Sequence, residues 1–102
     1  MNSRSAILIT YPKYEAAEEA ISLAQAAGYI IQKTVTQRNI TRSKFGIGKG
    51  KAEEVREMIK AIKVDCLIFD EVLKPTQQYN LTKLCETDVV DRERLILEIF
   101  EK

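Results

Sequence analysis

The 102 residues of this chain suit one small domain. Its 45% hydrophobic and 30% charged residues are the balance of a folded globular protein, which argues against a disordered chain. Histidine is absent, and this excludes a Ser/His or Cys/His catalytic pair and removes the commonest metal ligand. Cys66 and Cys85 show no metal-binding spacing and follow no signal peptide, and no apolar run reaches the length of a membrane span. We therefore expect reduced thiols in a cytoplasmic protein.

Charge is distributed unevenly, although the net charge is only +1. Residues 1–64 contain 11 Lys/Arg and 6 Asp/Glu, whereas residues 65–102 contain 5 and 9. The stretch 33–51 has no acidic residue, which makes it a candidate contact surface for phosphates. A solvated loop is the alternative interpretation, since most short basic runs are solvated loops. The basic residues of this stretch are Lys33, Arg38, Arg42, Lys44, Lys49 and Lys51.

The first part of the chain predicts two strands that flank one helix. Ser5–Tyr11 is a short apolar run typical of a buried strand. Tyr14–Ala27 places alanines at helical spacing, and Gly28 is suited to terminate that helix. Tyr29–Thr36 is rich in β-branched and aromatic residues, and its polar end suggests a strand near an edge of the sheet. The polar and basic segment Gln37–Lys44 then predicts a loop.

Three glycines alternate with other residues in Phe45–Lys51 (FGIGKGK). Phe45–Ile47 predicts a very short strand or an extended lead-in to a strand-to-helix turn. Such a turn directs backbone N–H groups outward at a helix N-terminus, where an anion is favoured. The spacing matches neither a P-loop nor the dinucleotide fingerprint, so a tight turn with a solvated rim is the alternative. The candidate phosphate-binding residues are Gly46, Gly48, Lys49, Gly50 and Lys51.

The second part of the chain predicts two further strands and three helices. Ala52–Ile62 has a helical apolar stripe, and Asp65–Asp70 is apolar on both faces, as in a central strand of a parallel sheet. Lys74–Thr76 opens a third helix with proline in its first turn. Asp88–Asp91 is a last short strand, and Arg92–Lys102 is a final helix. This order predicts an α/β fold of three layers, with a mostly parallel sheet of four or five strands flanked by helices.

Ligands of such sheets gather at the carboxyl ends of the strands. Asp70 and Asp91 end two strands there, and paired carboxylates can hold magnesium or exchange protons. An aspartate in this position more often caps a helix or forms a turn, and we favour that interpretation, with Asp91 as a helix N-cap. The sequence therefore predicts no catalytic residue and no metal ligand.

The final helical run is apolar around nearly its whole circumference. A helix of this kind is expected to be buried. We therefore expect the chain to be either an excised piece of a longer protein or a module that depends on a partner. The apolar residues are Leu95, Ile96, Leu97, Ile99 and Phe100.

Three segments carry a family resemblance. Phe45–Glu54 (FGIGKGKAEE) resembles the "YIGKGKLEE"-like segment of the HflX-type GTPases. Phe69–Leu81 (FDEVLKPTQQYNL) is similar to their "FDDELSPSQQRNLE" segment, and Val89–Phe100 (VVDRERLILEIF) to their "VIDRTGLILDIFA" segment. The three segments occur in the family's order and spacing, and with the elements between them they cover nearly the whole chain.

The resemblance implies that residues 1–102 form the N-terminal α/β domain of such a GTPase. Residues 92–102 would begin a helix that continues into a helical hairpin and then a G domain with a Walker A motif. Neither is present in these residues, so GTP hydrolysis is not carried over. GTP and Mg²⁺ are expected on the G domain, and no cofactor is expected in this chain. Members of the family bind the large ribosomal subunit, and their N-terminal region contacts ribosomal RNA and influences the GTPase.

Two functions are consistent with these features. The first is an accessory domain of a ribosome-associated GTPase that contacts ribosomal RNA through Arg38, Arg42 and Lys44, regulates its own G domain, or does both. The second is a nucleotide-binding domain in its own right, with ATP or GTP phosphates on the glycine turn and the base against Tyr11 or Phe45. An ATP-dependent activity of this region in some members is also implied by the resemblance.

Overall fold

The computed structural model describes residues 4–38 and 44–101. Within these ranges strands and helices alternate along the chain, as the sequence predicts. The strands are β1 (Arg4–Thr10), β2 (Tyr29–Thr36), β3 (Cys66–Phe69) and β4 (Asp88–Val90). The helices are α1 (Tyr14–Ala26), α2 (Lys49–Ile62), α3 (Pro75–Cys85) and α4 (Arg92–Phe100).

The four strands form one parallel sheet in the order β2-β1-β3-β4. The predicted positions of two strands are confirmed, because β2 lies at an edge and β3 lies inside the sheet. The chain moves from β1 to β2 on one side and from β3 to β4 on the other. The strand order therefore reverses between β1 and β3, which is where open α/β sheets form their ligand crevice.

Apolar side chains of the sheet alternate between two cores, one on each face, because successive strand residues point to opposite sides. This explains why residues 6–9 of β1 and the whole of β3 are apolar without interruption, and it confirms the three-layer α/β architecture. On one face, residues of α2 and α3 cover the sheet, and the core includes Ile7, Ile9, Leu67, Phe69, Val55 and Leu81. On the other face, residues of α1 and α4 cover it, and the core includes Ala6, Leu8, Ile68, Ala20, Ala24 and Leu95.

The predicted beginning of α2 is wrong. The helix begins at Lys49 rather than Ala52, so Gly50 lies in its first turn. Glycine is disfavoured inside helices because it loses more backbone freedom on folding than other residues, which is why its presence argues for a later start. Phe45–Ile47 forms a turn and a bend rather than a strand, so the described residues contain four strands and no fifth.

Helix ends follow known capping geometry. Gly28 has a φ of +98° directly after the C-cap of α1, which confirms it as the terminator. The C-caps of α2 and α3 are the left-handed residues Lys63 and Glu86, where the sequence offers no glycine. None of the helices within the described ranges is long and apolar enough to cross a membrane.

Both cysteines are buried in the cores. Burial raises the pKa of the Cys66 thiol to about 11, and burial likewise raises the pKa of Cys85 to about 11. Because the thiolate is the nucleophilic form, this raised pKa lowers the reactivity of both thiols at neutral pH.

Candidate phosphate and RNA interface

Gly46 holds the chain in a tight turn ahead of α2. Its φ of +79° lies in the left-handed region that favours glycine. A Cβ at this position would lie 2.9 Å from Leu73 Cδ2 and 3.2 Å from Phe69 Cε1. The next residue, Ile47, is fully buried in the core beneath α2 and α3. The structure therefore gives Gly46 a packing role and fixes the turn against the carboxyl end of β3.

The first turn of α2 presents backbone N–H groups to open space. Gly48 is the N-cap and contributes no side-chain hydrogen bond. The Ala52 N–H donates to the Gly48 carbonyl at 2.9 Å, so the amides of Lys49, Gly50 and Lys51 have no acceptor within the helix. A Cβ added at Gly48 or Gly50 would meet nothing within 4 Å. A small anion can therefore approach this end of the helix, where the dipole favours negative charge.

Two lysines and no acid occupy this first turn. Lys49 is exposed, whereas Lys51 is half-buried, with its Nζ 3.7 Å from Glu54 Oε2. A surface ion pair of this kind contributes little free energy, so Lys51 can exchange Glu54 for a phosphate at small cost. The predicted phosphate-binding residues thus divide into two sets. Gly46 packs against the core, and Gly48 to Lys51 form an exposed and positively charged helix start.

The predicted RNA-contact residues are separated along the chain. Lys44 is exposed beside the glycine turn, and its Nζ lies 5.8 Å from the centroid of the Phe45 ring. Arg38 is exposed just after β2, next to Gln37, whose N–H donates to the last carbonyl of β1 at 2.9 Å. Arg42 lies outside the described residues. The structure thus places Lys44 at the turn that precedes α2 and Arg38 at the carboxyl end of the edge strand.

Side chains of the protein occupy the crevice between the ends of β1 and β3. Thr10 Oγ1 donates to Asp70 Oδ2 at 2.7 Å. The Arg92 guanidinium lies 3.5 Å from Asp70 Oδ1 and 2.9 Å from Glu19 Oε1, which joins α4 to β3 and α1. Burial raises the pKa of Asp70, while the hydrogen bond from Thr10 and the charge of Arg92 act in the opposite direction. Asp70 therefore has a structural role, as the sequence analysis favours.

Tyr11 is held at the same crevice. Its hydroxyl donates to Glu71, and its ring packs against the core beneath α2 and α3. Burial, followed by the hydrogen bond to Glu71, raises the pKa of Tyr11 to about 12, so the phenol stays a neutral donor at physiological pH. A nucleotide base that stacked on Tyr11 would compete with these contacts.

Asp91 caps α4, and this prediction is confirmed. Its Oδ1 accepts from the Arg94 N–H at 3.0 Å, as an N-cap carboxylate does. Its Oδ2 accepts from the buried Leu73 N–H at 3.0 Å, so one carboxylate fixes both the start of α4 and the loop after β3. Within the ranges 4–38 and 44–101, no group of three or more His, Cys, Asp or Glu side chains is arranged to hold a metal ion.

A groove that the sequence analysis did not identify lies between the turn ahead of α2 and the exposed face of α3. We name it the Phe45–Tyr79 groove, and its volume is about 410 Å³. Its α3 residues form two pairs, Tyr79 with Lys83 and Asn80 with Leu84, and the members of each pair lie one helical turn apart. This spacing can be seen in the sequence. Their pairing with the turn at residues 44–45 depends on the tertiary fold and could not be read from spacing. The lining residues are Lys44, Phe45, Tyr79, Asn80, Lys83 and Leu84.

The fold and the residues at the carboxyl ends of the strands define a class of protein. It is a small parallel α/β domain with an exposed, basic helix start at that edge of its sheet. The chain belongs to the GTP-binding GTPase N-terminal family, which it matches over residues 14–101. Together with relatives named GTPase HflX, this match confirms the resemblance to HflX-type GTPases.

Curated relatives agree with this assignment. The chain is 42% identical over 80 residues to GTPase HflX of Thermococcus kodakarensis. This match covers 78% of this chain and 18% of the relative. It is 40% identical over 84 residues to GTPase HflX of Escherichia coli, which covers 81% of this chain and 20% of the relative. The matched part of this chain thus spans about a fifth of the length of these relatives.

Solved structures share the fold over nearly the whole chain. The crystal structure of the SsGBP and GDP complex matches with a TM-score of 0.80 and 28% identity, over 96% of this chain and 29% of that one. A GTP-binding protein from the hyperthermophilic archaeon Sulfolobus solfataricus, in complex with GDP, matches with a TM-score of 0.76 and 28% identity. That match covers 95% of this chain and 30% of the other.

Proposed function

We propose that this chain is the N-terminal accessory domain of a ribosome-associated GTP-binding protein of the cytoplasm. It contacts ribosomal RNA on the large subunit, regulates the G domain of the longer protein, or does both. GTP and Mg²⁺ bind the G domain, not these residues. Family membership supports this proposal, because the relatives carry the name GTPase HflX and are about four times as long as this chain.

The observation that carries the RNA contact is the exposed helix start at Gly48–Lys51 with the neighbouring Lys44. The helix start combines three backbone amides, the positive end of a 14-residue helix and two lysines, and its first turn contains no acid. Lys44 lies four residues before the N-cap Gly48. Phosphate groups are the ligands that such a surface attracts. Arg38 and Arg42 would extend the contact, as predicted from the sequence.

Titration of this chain against purified large ribosomal subunits tests the proposal. Counterion release makes phosphate contacts sensitive to salt, so about three contacts weaken binding roughly 30-fold between about 50 and about 200 mM salt. Binding that is independent of salt, or no binding by this chain and by its complete parent, contradicts an RNA contact.

The exposed face of α4 supports the second part of the proposal. Leu97 is 55% exposed and Phe100 is 81% exposed, although both are large and apolar. We propose that residues 92–102 continue as a longer helix into a helical hairpin and a G domain, which cover this face. A pull-down between this chain and the separated G domain tests regulation by direct contact. If the two domains do not bind and this chain leaves GTP hydrolysis unchanged, regulation is excluded and the RNA contact stands alone.

Nucleotide binding by this chain itself is the alternative, and the open α2 start favours it. In this arrangement the phosphates of ATP or GTP lie on the amides of residues 49–51 beside Lys49 and Lys51, and the base lies against Phe45 or Tyr11. Calorimetry with each nucleotide tests it, with Lys49→Ala and Lys51→Ala as loss variants. Lys60→Ala is the matched control, because it removes the same charge in the last turn of the same helix. If calorimetry detects no heat of binding at millimolar nucleotide, this alternative is excluded.

A further inference from the structure

The Phe45–Tyr79 groove has two aromatic walls. Tyr79 is 63% exposed on α3, and Phe45 is half-buried, with part of its ring packed against the core beneath α2 and α3. One wall is therefore anchored, and the other is open to a ligand. Exposed aromatic rings that flank a cleft are the usual platform on which unpaired nucleotide bases stack.

Each aromatic wall carries a lysine. Lys44 Nζ lies 5.8 Å from the centroid of the Phe45 ring, and Lys83 Nζ lies 5.7 Å from the centroid of the Tyr79 ring. The groove lining, all of it within the described residues, contains both ammonium groups and no carboxylate. The local charge therefore favours a phosphate-bearing ligand and disfavours a basic peptide.

The two walls are joined before any ligand arrives. Asn80 Nδ2 donates to the Lys44 carbonyl at 3.2 Å, which ties α3 to the turn that carries Phe45. A preformed cleft loses less conformational entropy on binding than one that must assemble. Its volume of about 410 Å³ lies in the range of clefts that hold small ligands, so it suits one base rather than a helix.

We propose that the Phe45–Tyr79 groove binds one unpaired base of single-stranded RNA. The base stacks against Tyr79 and Phe45, and the adjoining phosphates contact Lys44 and Lys83. This inference rests on the proposed RNA-binding function and specifies it, since it names the class of RNA and the recognition surface. A base within a duplex is excluded, because its faces are covered by its neighbours in the stack.

The direct test compares a short single-stranded RNA of mixed sequence with the blunt duplex of the same sequence. Binding is followed by NMR chemical-shift changes of the Asn80 side-chain amide and of the α3 backbone amides. The single strand is expected to shift these signals and the duplex is not. Equal shifts with both RNAs, or stronger shifts with an acidic peptide of matched charge, overturn the proposal.

Substitutions separate stacking from charge. Tyr79→Ala is expected to weaken single-strand binding about tenfold, since it removes one stacking wall. Tyr14→Ala is the matched control, because Tyr14 is 74% exposed on α1, away from the groove, and its loss should leave affinity unchanged. Lys83→Gln is expected to lower the slope of log Kd against log salt by about one. If Tyr79→Ala and the unchanged chain bind the single strand with equal affinity, the proposal is overturned.

The same variants distinguish this inference from the proposed function. If Tyr79→Ala binds the single strand and the large ribosomal subunit as well as the unchanged chain does, the groove is excluded and the ribosome contact stands. If the single strand binds through Tyr79 while ribosomal subunits do not bind, the groove stands and the ribosome contact fails.

Discussion

Gly46 is the glycine of the central turn that the fold requires, because it combines a positive φ with close packing. We predict that Gly46→Ala destabilises the chain by about 2 kcal/mol, since a left-handed conformation alone costs an alanine about 1–2 kcal/mol. Gly50→Ala is the control, because it lies in open space in the first turn of α2 and should be neutral or slightly stabilising. Urea denaturation followed by circular dichroism measures both. Equal stability of the two variants contradicts the packing role of Gly46.

Asp88 forms a two-pronged ion pair with Arg94. Both of its carboxylate oxygens accept from the Arg94 guanidinium at 2.9 Å, and Arg4 lies 3.3 Å away. The hydrogen bonds from Arg94, more than any other contact, lower the pKa of Asp88. More than a third of the Asp88 and Arg94 side chains is exposed, so solvent screening limits the pair to about 0.5–1 kcal/mol.

The pH dependence of Asp88→Asn follows from this lowered pKa. The folded pKa lies below the ordinary 3.8, so the stabilisation is present above pH 3.8 and is lost as the pH falls through the folded value. We predict that Asp88→Asn is about 0.5–1 kcal/mol less stable than the unchanged chain at pH 7. This difference should shrink as the pH falls below 3.8. Chemical denaturation across that range measures it, with Glu53→Gln as an exposed control. A stability difference between Asp88→Asn and the unchanged chain that grows at low pH contradicts this prediction.

Most strands and helices could be predicted from the sequence, because each has its own period and clear boundaries. β3 is apolar on both faces since both are covered, and Gly28 terminates α1 by its positive φ. The beginning of α2 could not be predicted in the same way. Gly50 argues against a helix by propensity, yet it lies in the first turn of α2, so a weak local propensity did not decide the boundary.

The start of α4 depends on Asp91, which satisfies two backbone N–H groups. We predict that Asp91→Ala destabilises the chain by about 2–3 kcal/mol, because it removes an N-cap and leaves the buried Leu73 N–H without its acceptor. Asp91→Asn should restore part of the loss, since its amide oxygen can still cap the helix. Glu93→Ala, in the same first turn but exposed, is the matched control for lost charge. A loss below about 0.5 kcal/mol for Asp91→Ala, within the usual range of surface substitutions, contradicts this role.

The position of the candidate site at the carboxyl edge of the sheet could be predicted from the sequence, but its composition could be predicted only in part. Parallel strands bring their carboxyl ends to one edge, so the glycine turn, Asp70 and Asp91 were expected there. The filling of the crevice by Arg92 could not be foreseen, because it joins residues from three elements that are far apart in the chain. The Phe45–Tyr79 groove was missed for the same reason.

The exposed face of α4 gives a prediction for the longer protein. Phe100→Ser should change the free energy of unfolding of this chain by less than about 0.5 kcal/mol, because Phe100 is 81% exposed. In a parent whose following segment covers this face, the same substitution should cost at least about 2 kcal/mol. Tyr14→Ser, exposed on α1, should have a small effect in both proteins. Thermal or urea unfolding of this chain and of the longer parent measures the difference. An equally small effect of Phe100→Ser in both proteins contradicts coverage of α4.

The salt dependence of binding to large ribosomal subunits is the most direct test of an RNA-facing helix start. Three proteins are compared: the unchanged chain, the double variant Lys49→Gln and Lys51→Gln, and Lys60→Gln, which lies at the other end of α2. We predict that the double variant lowers the slope of log Kd against log salt by about two, because each lost phosphate contact removes about one, while Lys60→Gln leaves it unchanged. Identical slopes for all three proteins would contradict the account.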